Sequence, residues 1–339
     1  MSHKPDHVFV VAEMGVNHNG DPDVARRLID AAAAAGVDAV KTQMFQAERI
    51  ASRGAQKADY QKAKTGGAES QLSMLKGLEL TPSHYRALAG YAKTRGLIFF
   101  AAPFDLASIQ TLVELGNPIF KIPSGEITNL PYLIEIGRLR AARVILSTGM
   151  SAPEEITAAV SVLTEQGQDP ADLTLLHCNT QYPTPFEDAN LRAIPALREM
   201  FDLPVGYSDH TPGIEAAIAA VALGATVIEK HFTLDRTLPG PDHQASIEPN
   251  ELAAMTRAIR NIEKALGDGV KRMTRSEAPN LGVVRKSIVA ARDIRRGETF
   301  TAENLTTKRP GGGVSPMRWF EALGQKAKRD FGYDELIEL

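Results

Sequence analysis

Short apolar, β-branched runs alternate along this chain with longer stretches of helical character. The runs are Val8–Ala12, Ala39–Gln43, Ile98–Ala102, Phe120–Ser124, Val144–Ser147, Leu173–Cys178, Val205–Ser208 and Val227–His231. They are continuously apolar, the pattern of strands buried on both faces of a parallel sheet. Helix boundary signals lie between them. Asp21-Pro22 supplies an N-cap acceptor and a first-turn proline, and Gly36 stops that helix after the alanine run Ala31–Ala35. Thr81-Pro82 with Gly96 repeats the device, and Ser151-Ala152-Pro153-Glu154 reads as a capping box. Eight strands, each followed by a helix, is the number that closes a (β/α)8 TIM barrel, an α/β fold. An open doubly wound sheet is the alternative; it needs a strand-order reversal that a sequence does not display.

The texture changes after the helix Asn250–Leu266. Residues 1–266 are therefore assigned to the barrel and the polar, basic stretch 267–285 to a linker. Residues 286–339 crowd short strands and turn signals together, with little helix. A domain of about 55 residues is marginal alone and gains from packing against something larger.

Composition narrows the picture by exclusion. With 339 residues, 43% apolar and 23% charged, the chain can bury a large core and is neither disordered nor fibrous. A formal net charge of −3 gives no bulk attraction to nucleic acid or to an anionic membrane. The single cysteine, Cys178, cannot form an intrachain disulfide, which suits a reducing cytoplasm. The first residues lack the apolar core of a signal peptide, and the longest uncharged run, Ala216–Ile228, is too short to span a bilayer.

The chemistry is at the strand ends, where barrels present their reacting groups. In order these carry Glu13; Lys41 and Gln43; Lys121, Ser124 and Glu126; Ser147-Thr148-Gly149; His177 through Tyr182; Ser208-Asp209-His210; and Glu229-Lys230-His231. The third strand is the exception, ending apolar at Ala101-Ala102-Pro103. Each residue has an ordinary reading, as an edge lysine, a hydrogen-bonded core histidine or a small residue in a tight turn. Together they describe a site. Lys121, between Phe120 and Ile122, reads as an anion-binding charge. His210 and His231 end adjacent strands and can converge on one divalent ion in an open, catalytic arrangement. Glu13 and Glu126 suit the roles of salt-bridge partners to Lys41 and Lys121, or of a general base. Ser124-Gly125, Ser147-Thr148-Gly149 and Ser208 resemble hydroxyl-and-amide cradles for phosphate. Cys178 reads as a small buried hydrophobe rather than a nucleophile.

At these residues the sequence resembles the sialic acid synthase family, the phosphoenolpyruvate-condensing nonulosonate synthases. The motifs are Ala12-Glu13-Met14-Gly15-Val16-Asn17-His18-Asn19-Gly20, Lys41-Thr42-Gln43, Lys121-Ile122-Pro123-Ser124-Gly125-Glu126, Ser147-Thr148-Gly149-Met150, Tyr182-Pro183-Thr184-Pro185, Gly206-Tyr207-Ser208-Asp209-His210-Thr211, Glu229-Lys230-His231-Phe232-Thr233 and Gly240-Pro241-Asp242. Lys308-Arg309-Pro310-Gly311 is similar to the antifreeze-like (SAF, β-clip) domain that closes such chains. The resemblance implies a barrel plus SAF domain in a domain-swapped homodimer. It implies phosphoenolpyruvate on Lys41, Lys121, Ser124, Ser147 and Ser208. His210 and His231 would hold a divalent metal, Mn2+ typically, with Mg2+ or Co2+ as alternatives. The N-acylated mannose-type acceptor would lie on Gln43, Glu126, Tyr182 and Asp242, with Arg309 reaching in from the second subunit. Glu13 is the candidate to position or deprotonate water, and Lys121, His210 and His231 complete the expected catalytic set.

Two departures matter. Ala101-Ala102-Pro103-Phe104 stands where N-acetylneuraminate synthases often have Ser-Thr-Pro-Phe, so one hydroxyl ligand for phosphoenolpyruvate is missing at Ala102 or replaced from elsewhere. The loop from Ala58-Asp59-Tyr60-Gln61 through Ala68-Glu69-Ser70-Gln71, the segment His177–Tyr182 and the segment Ile127–Tyr132 look like the legionaminic acid synthase branch. Its acceptor, 2,4-diacetamido-2,4,6-trideoxymannose, needs a less polar pocket around C6. N-acetylmannosamine is the alternative acceptor. Competing classes are a Schiff-base aldolase on Lys121 or Lys41, a metal-dependent hydrolase, and a non-catalytic carbohydrate-binding protein.

Overall fold

The structure, a computed structural model, describes residues 7–52, 55–56 and 70–339. The chain divides into two compact units between Gly267 and Asp268.

The first unit is built on an eight-stranded parallel sheet. Its strands are β1 (Phe9–Gly15), β2 (Ala39–Met44), β3 (Ile98–Pro103), β4 (Phe120–Ile122), β5 (Val144–Ser147), β6 (Leu173–Cys178), β7 (Val205–Asp209) and β8 (Val227–His231). The expected fourth strand stops at Ile122, because Pro123 turns the chain into a 3-10 turn over Ser124–Glu126. Helices α1 (Pro22–Ala34), α2 (Ala47–Ile50), α3 (Gln71–Lys76), α4 (Pro82–Thr94), α5 (Leu106–Glu114), α6 (Leu130–Leu139), α7 (Pro153–Glu165), α8 (Ala193–Phe201), α9 (Glu215–Ala222) and α10 (Pro249–Ala265) follow in chain order. Their starts obey local chemistry. Asp21 accepts from the amides of Asp23 and Val24, and Thr81 from that of His84. At α7 the cap is Ala152 rather than Ser151. Glu155 accepts from the Ala152 amide at 2.8 Å while Ser151 bonds to Gly149, so the expected box keeps only its carboxylate half.

The ladder order is β3-β2-β1-β8-β7-β6-β5-β4. Among the described residues no backbone ladder joins β3 to β4. A single amide spans that seam: Asn117 Oδ1 accepts from the Ala101 amide at 3.0 Å, and its Nδ2 donates to the carbonyls of Ala101 and Ile119. The Tyr132 hydroxyl adds a bond to the Pro103 carbonyl.

Two apolar layers hold this unit together. The larger fills the space between sheet and helices, with Val10, Ala12, Leu28, Ile29, Leu88, Ile109, Tyr132 and Met255. The smaller, Phe9, Val11, Ala39, Phe100, Ile119, Ile145, Leu176 and Val227, clusters separately. Because side chains repeat every two residues on a strand, the next position on the same face follows directly. Val11 leads to Glu13, Ala39 to Lys41, Ile119 to Lys121, Ile145 to Ser147, Leu176 to Cys178 and Val227 to Glu229. The barrel interior thus changes from hydrocarbon to charge at four of these positions, and to a hydroxyl and a thiol at the other two, in one step.

The second unit carries a 3-10 turn at Ala278–Asn280, α11 (Leu281–Val284), the antiparallel pair β9 (Ser287–Ala290) and β10 (Leu305–Lys308), and α12 (Trp319–Ala322). Ile288, Ile294, Phe300, Leu305, Phe331 and Ile337 form its own core. Among the described residues no helix is long and apolar enough to cross a membrane.

Candidate active site

A cavity of about 510 Å3 is lined by residues from the carboxyl ends of the strands and the connections beyond them. Glu13, Lys41, Gln43, Lys121, Ser124, Glu126, Ser147, Tyr182, Ser208, His210, His231 and Asp242 all line it. Arg309 does not. It belongs to the second unit, where its Nε donates to the Val284 carbonyl at 3.0 Å. Most of the variable loop expected to read the acceptor lies outside the described residues; Gln71 at its end reaches the cavity wall.

The floor is a buried charge cluster. Lys41 Nζ lies 2.9 Å from Glu13 Oε2 and 3.5 Å from Glu229 Oε2, and Lys121 Nζ lies 3.2 Å from Glu229 Oε1. The Ser208 hydroxyl donates to Glu229 at 2.9 Å. Burial pushes the Glu13 carboxyl up to about 7; Lys41 opposes the rise and Glu229 adds to it. Burial would raise Glu229 too, but the Lys121 and Lys41 ammoniums with the Ser208 hydroxyl outweigh it and hold that carboxyl well below the usual range. Burial works against both lysines. The two carboxylates overcome it at Lys41, which sits above its ordinary value, whereas Lys121 sits below. Whenever Glu13 is protonated, two ammoniums face one carboxylate, and the floor has an unbalanced positive charge that suits an anion.

This corrects one expected pairing. Lys121 is partnered by Glu229, not by Glu126, which accepts instead from Asn129 Nδ2 at 2.6 Å. Glu229, which the strand-end reading names without giving it a role, is the residue that reading missed. The signal was present: counting by two from the apolar Val227 places Glu229 and His231 inside and Lys230 outside. Lys230 indeed turns away, to Asp209 at 2.8 Å.

His210 and His231 stand with ring centroids 5.4 Å apart, and the Tyr182 ring lies 4.1 Å from His210 and edge-on to His231 at 5.5 Å. His210 Nδ1 is 2.5 Å from the Asn179 carbonyl. That oxygen can only accept, so Nδ1 bears the proton and Nε2 keeps a lone pair, 3.3 Å from the Ser208 hydroxyl. Burial pulls His210 down to about 4 and His231 well below its ordinary value, leaving both imidazoles neutral. His231 Nδ1 is buried with no hydrogen-bond partner. Two neutral imidazoles, one with an orphaned nitrogen, fit a divalent cation that takes its other ligands from water or substrate. Among the described residues no group of three or more His, Cys, Asp and Glu side chains forms a closed cage.

The small residues differ in availability. Ser147 and Ser208 are buried in the wall, and Ser124 Oγ is engaged by the Gly149 amide at 3.0 Å and by Cys178 Sγ at 3.3 Å. The Gly149 amide is therefore committed to Ser124. At Gly15, φ is +49° and an added Cβ would lie 3.2 Å from Glu13 Oε1, so a side chain there crowds the acid.

The connection after β8, which carries Asp242, is fastened by the connection after β1. Asn17 Nδ2 donates to the Phe232 carbonyl and to Ser246 Oγ, both at 2.9 Å, and Ser246 Oγ donates to the Asp242 carbonyl at 2.8 Å. Asn19 Nδ2 holds the Pro239 carbonyl. The first three βα connections give the cavity a different surface, made of Val16, Phe45, Met74, Leu78 and Phe104.

The chain is similar to known proteins over nearly its whole length. The NeuB family model matches residues 28–271 and the SAF domain model residues 285–338. The chain is 52% identical to the N,N'-diacetyllegionaminic acid synthase of Campylobacter jejuni over 97% of this chain and 98% of that protein. It is 43% identical to the N,N'-diacetyllegionaminic acid synthase of Legionella pneumophila, over 94% and 90%. Among solved structures, the N-acetylneuraminic acid synthetase of Leptospira borgpetersenii, in complex with citrate, superposes with a TM-score of 0.72 at 37% identity, covering 81% of this chain and 90% of that one.

Proposed function

This chain belongs to the NeuB family, and from that membership we propose that it condenses phosphoenolpyruvate with open-chain 2,4-diacetamido-2,4,6-trideoxymannose, giving N,N'-diacetyllegionaminate and phosphate. The observation that carries the reaction is the floor, where the buried Lys41 and Lys121 meet Glu13 and Glu229 beside two neutral imidazoles. The full-length likeness to two diacetyllegionaminic acid synthases supports the acceptor.

Lys41 and Lys121 offset the phosphate and carboxylate of phosphoenolpyruvate, with the hydroxyls of Ser124, Ser147 and Ser208 around them. Gln43, Glu126, Tyr182 and Asp242 hold the acceptor so that its aldehyde carbon meets C3 of the enol phosphate. His210 and His231 would hold a divalent cation, Mn2+ by preference and Mg2+ or Co2+ otherwise, which would supply Lewis-acid stabilisation of the charge developing on the aldehyde oxygen. Bond formation leaves C2 electron-poor. Glu13, whose Oε1 has no hydrogen-bond partner, takes the proton of the water that adds there. The bond from C2 to the phosphate oxygen then breaks, its electron pair leaves with phosphate, and the C2 hydroxyl loses its proton to become the keto group; the two protons of the water end on the former aldehyde oxygen and on phosphate. The reaction belongs in the cytoplasm, and the second unit completes the cavity of a second copy through Arg309, in a homodimer.

The test mixes purified protein, Mn2+ and phosphoenolpyruvate with either candidate sugar and identifies the product by mass. The diacetyl nine-carbon keto acid with equimolar phosphate is expected. Product from N-acetylmannosamine alone would move the acceptor to the neuraminate type, as in the Leptospira protein. A substrate adduct trapped by borohydride would replace the mechanism with a Schiff base. Recovery of activity on mixing Arg309→Ala with Glu13→Ala chains is expected of the homodimer; none would overturn the cross-chain role.

A further inference from the structure

The cavity has two chemistries. Its floor is ionic, but among the described residues the connections after β1, β2 and β3 line it with the apolar Val16, Phe45, Ile50, Met74, Leu75, Leu78 and Phe104 and with one polar side chain, Gln71. This surface is built, not incidental. Val16, Phe45, Met74 and Leu78 are buried and form a cluster separate from both barrel cores, and Phe104 packs against it. The Phe45 and Phe104 rings meet edge to face at 6.4 Å, an arrangement that fixes both. Phe104 follows Ala101-Ala102-Pro103, the single strand end without a polar side chain, so β3 adds no hydroxyl here.

The patch of Val16, Phe45, Met74, Leu78 and Phe104 is a poor neighbour for a sugar hydroxyl, which would leave water for side chains that offer no strong hydrogen-bond acceptor. It is a good neighbour for a methyl group. We propose that Val16, Phe45, Met74, Leu78 and Phe104 receive the C6 methyl end of the acceptor and are the specificity determinant that selects a 6-deoxy sugar over its 6-hydroxy counterpart. The proposal rests on the condensation described above. It assigns the selection to an apolar wall rather than to a hydrogen bond, which sets its size. An apolar pocket rejects an added hydroxyl by about 10²-fold, far less than a site built to bond one.

The matched pair of substrates is 2,4-diacetamido-2,4,6-trideoxymannose and 2,4-diacetamido-2,4-dideoxymannose, which differ only in the 6-hydroxyl. The wild-type ratio of kcat/KM is expected near 10². Met74→Gln and the nearly isosteric Val16→Thr should each lower it about tenfold or more with the KM for phosphoenolpyruvate unchanged, and Met74→Leu should preserve it. Equal kcat/KM for the two sugars in the wild type overturns the wall's role while leaving the condensation intact. So does a ratio that stays at its wild-type value in Val16→Thr. A wild-type protein that makes keto acid from neither sugar overturns the condensation and the wall together.

Discussion

Lys121 on β4 and Glu229 on β8 face each other at 3.2 Å, although their strands are far apart in the ladder. The pair bridges the barrel interior and stores the anion site in a closed, charge-paired form. An arriving phosphate must compete with Glu229 for the ammonium.

Glu229→Gln leaves Lys41 and Lys121 buried with one fewer carboxylate. Losing one partner of a buried pair costs about 3–5 kcal/mol, so the ligand-free variant should melt well below the wild type. Phosphate or phosphoenolpyruvate replaces the missing charge, so either should raise the variant's melting temperature by more than the wild type's. Equal shifts in thermal-melting assays would count against the exchange.

His210→Ala and His231→Ala should each weaken Mn2+ binding by more than about 10²-fold, beyond what loss of an outer partner does. Electron paramagnetic resonance of free Mn2+ reads this without turnover. Unchanged titration curves in both variants would remove the imidazole pair from the metal site.

Asn17→Ala should act on the acceptor alone. Without its bonds to Phe232 and Ser246 the connection bearing Asp242 loosens, and the acceptor KM should rise about tenfold, roughly the worth of one hydrogen bond. A change in the phosphoenolpyruvate KM of the same size would mark general damage instead.

Acid should weaken the fold through His18. Burial pulls this imidazole from 6.5 down to about 4, while Asp21 opposes and His243 reinforces the shift. The unfolded chain therefore binds the proton first. Stability from this group is full above pH 6.5 and is lost as pH falls to about 4, a total of about 3 kcal/mol. Urea melts of wild type and His18→Gln across that window should diverge by this amount; parallel curves would refute it.

Much of this was legible in the residues. Strands buried on both faces announce themselves, and polar residues gathered at most of their ends mark a site even though some of them, such as Lys230 with Asp209, pair structurally instead. Glu229 was passed over because it sits in a charged triplet with Lys230 and His231, where only the two-residue phase separates inside from outside. The apolar wall was not legible at all. Phe45 and Phe104 follow different strands, Met74 lies in the short helix α3 and Leu78 just beyond it, and nothing local says that they meet. The α7 cap shifted by one residue because Glu155 reaches back to a residue that has no side-chain acceptor.

The Asn117 amide gives the barrel a beginning and an end. The hydrogen-bonded ladder is linear, and β3 and β4 are edge strands that lie side by side but, among the described residues, are joined in hydrogen bonding through the Asn117 side chain. Exposed edges invite pairing with other chains; this one is occupied by a neutral donor and acceptor that a foreign strand would have to displace. The cylinder is therefore a sheet with a clasp, and the hydrogen-bond record of its closure is three bonds long on the Asn117 side chain. A substitution there would leave every strand ladder intact and still uncouple the two halves of the wall around the cavity.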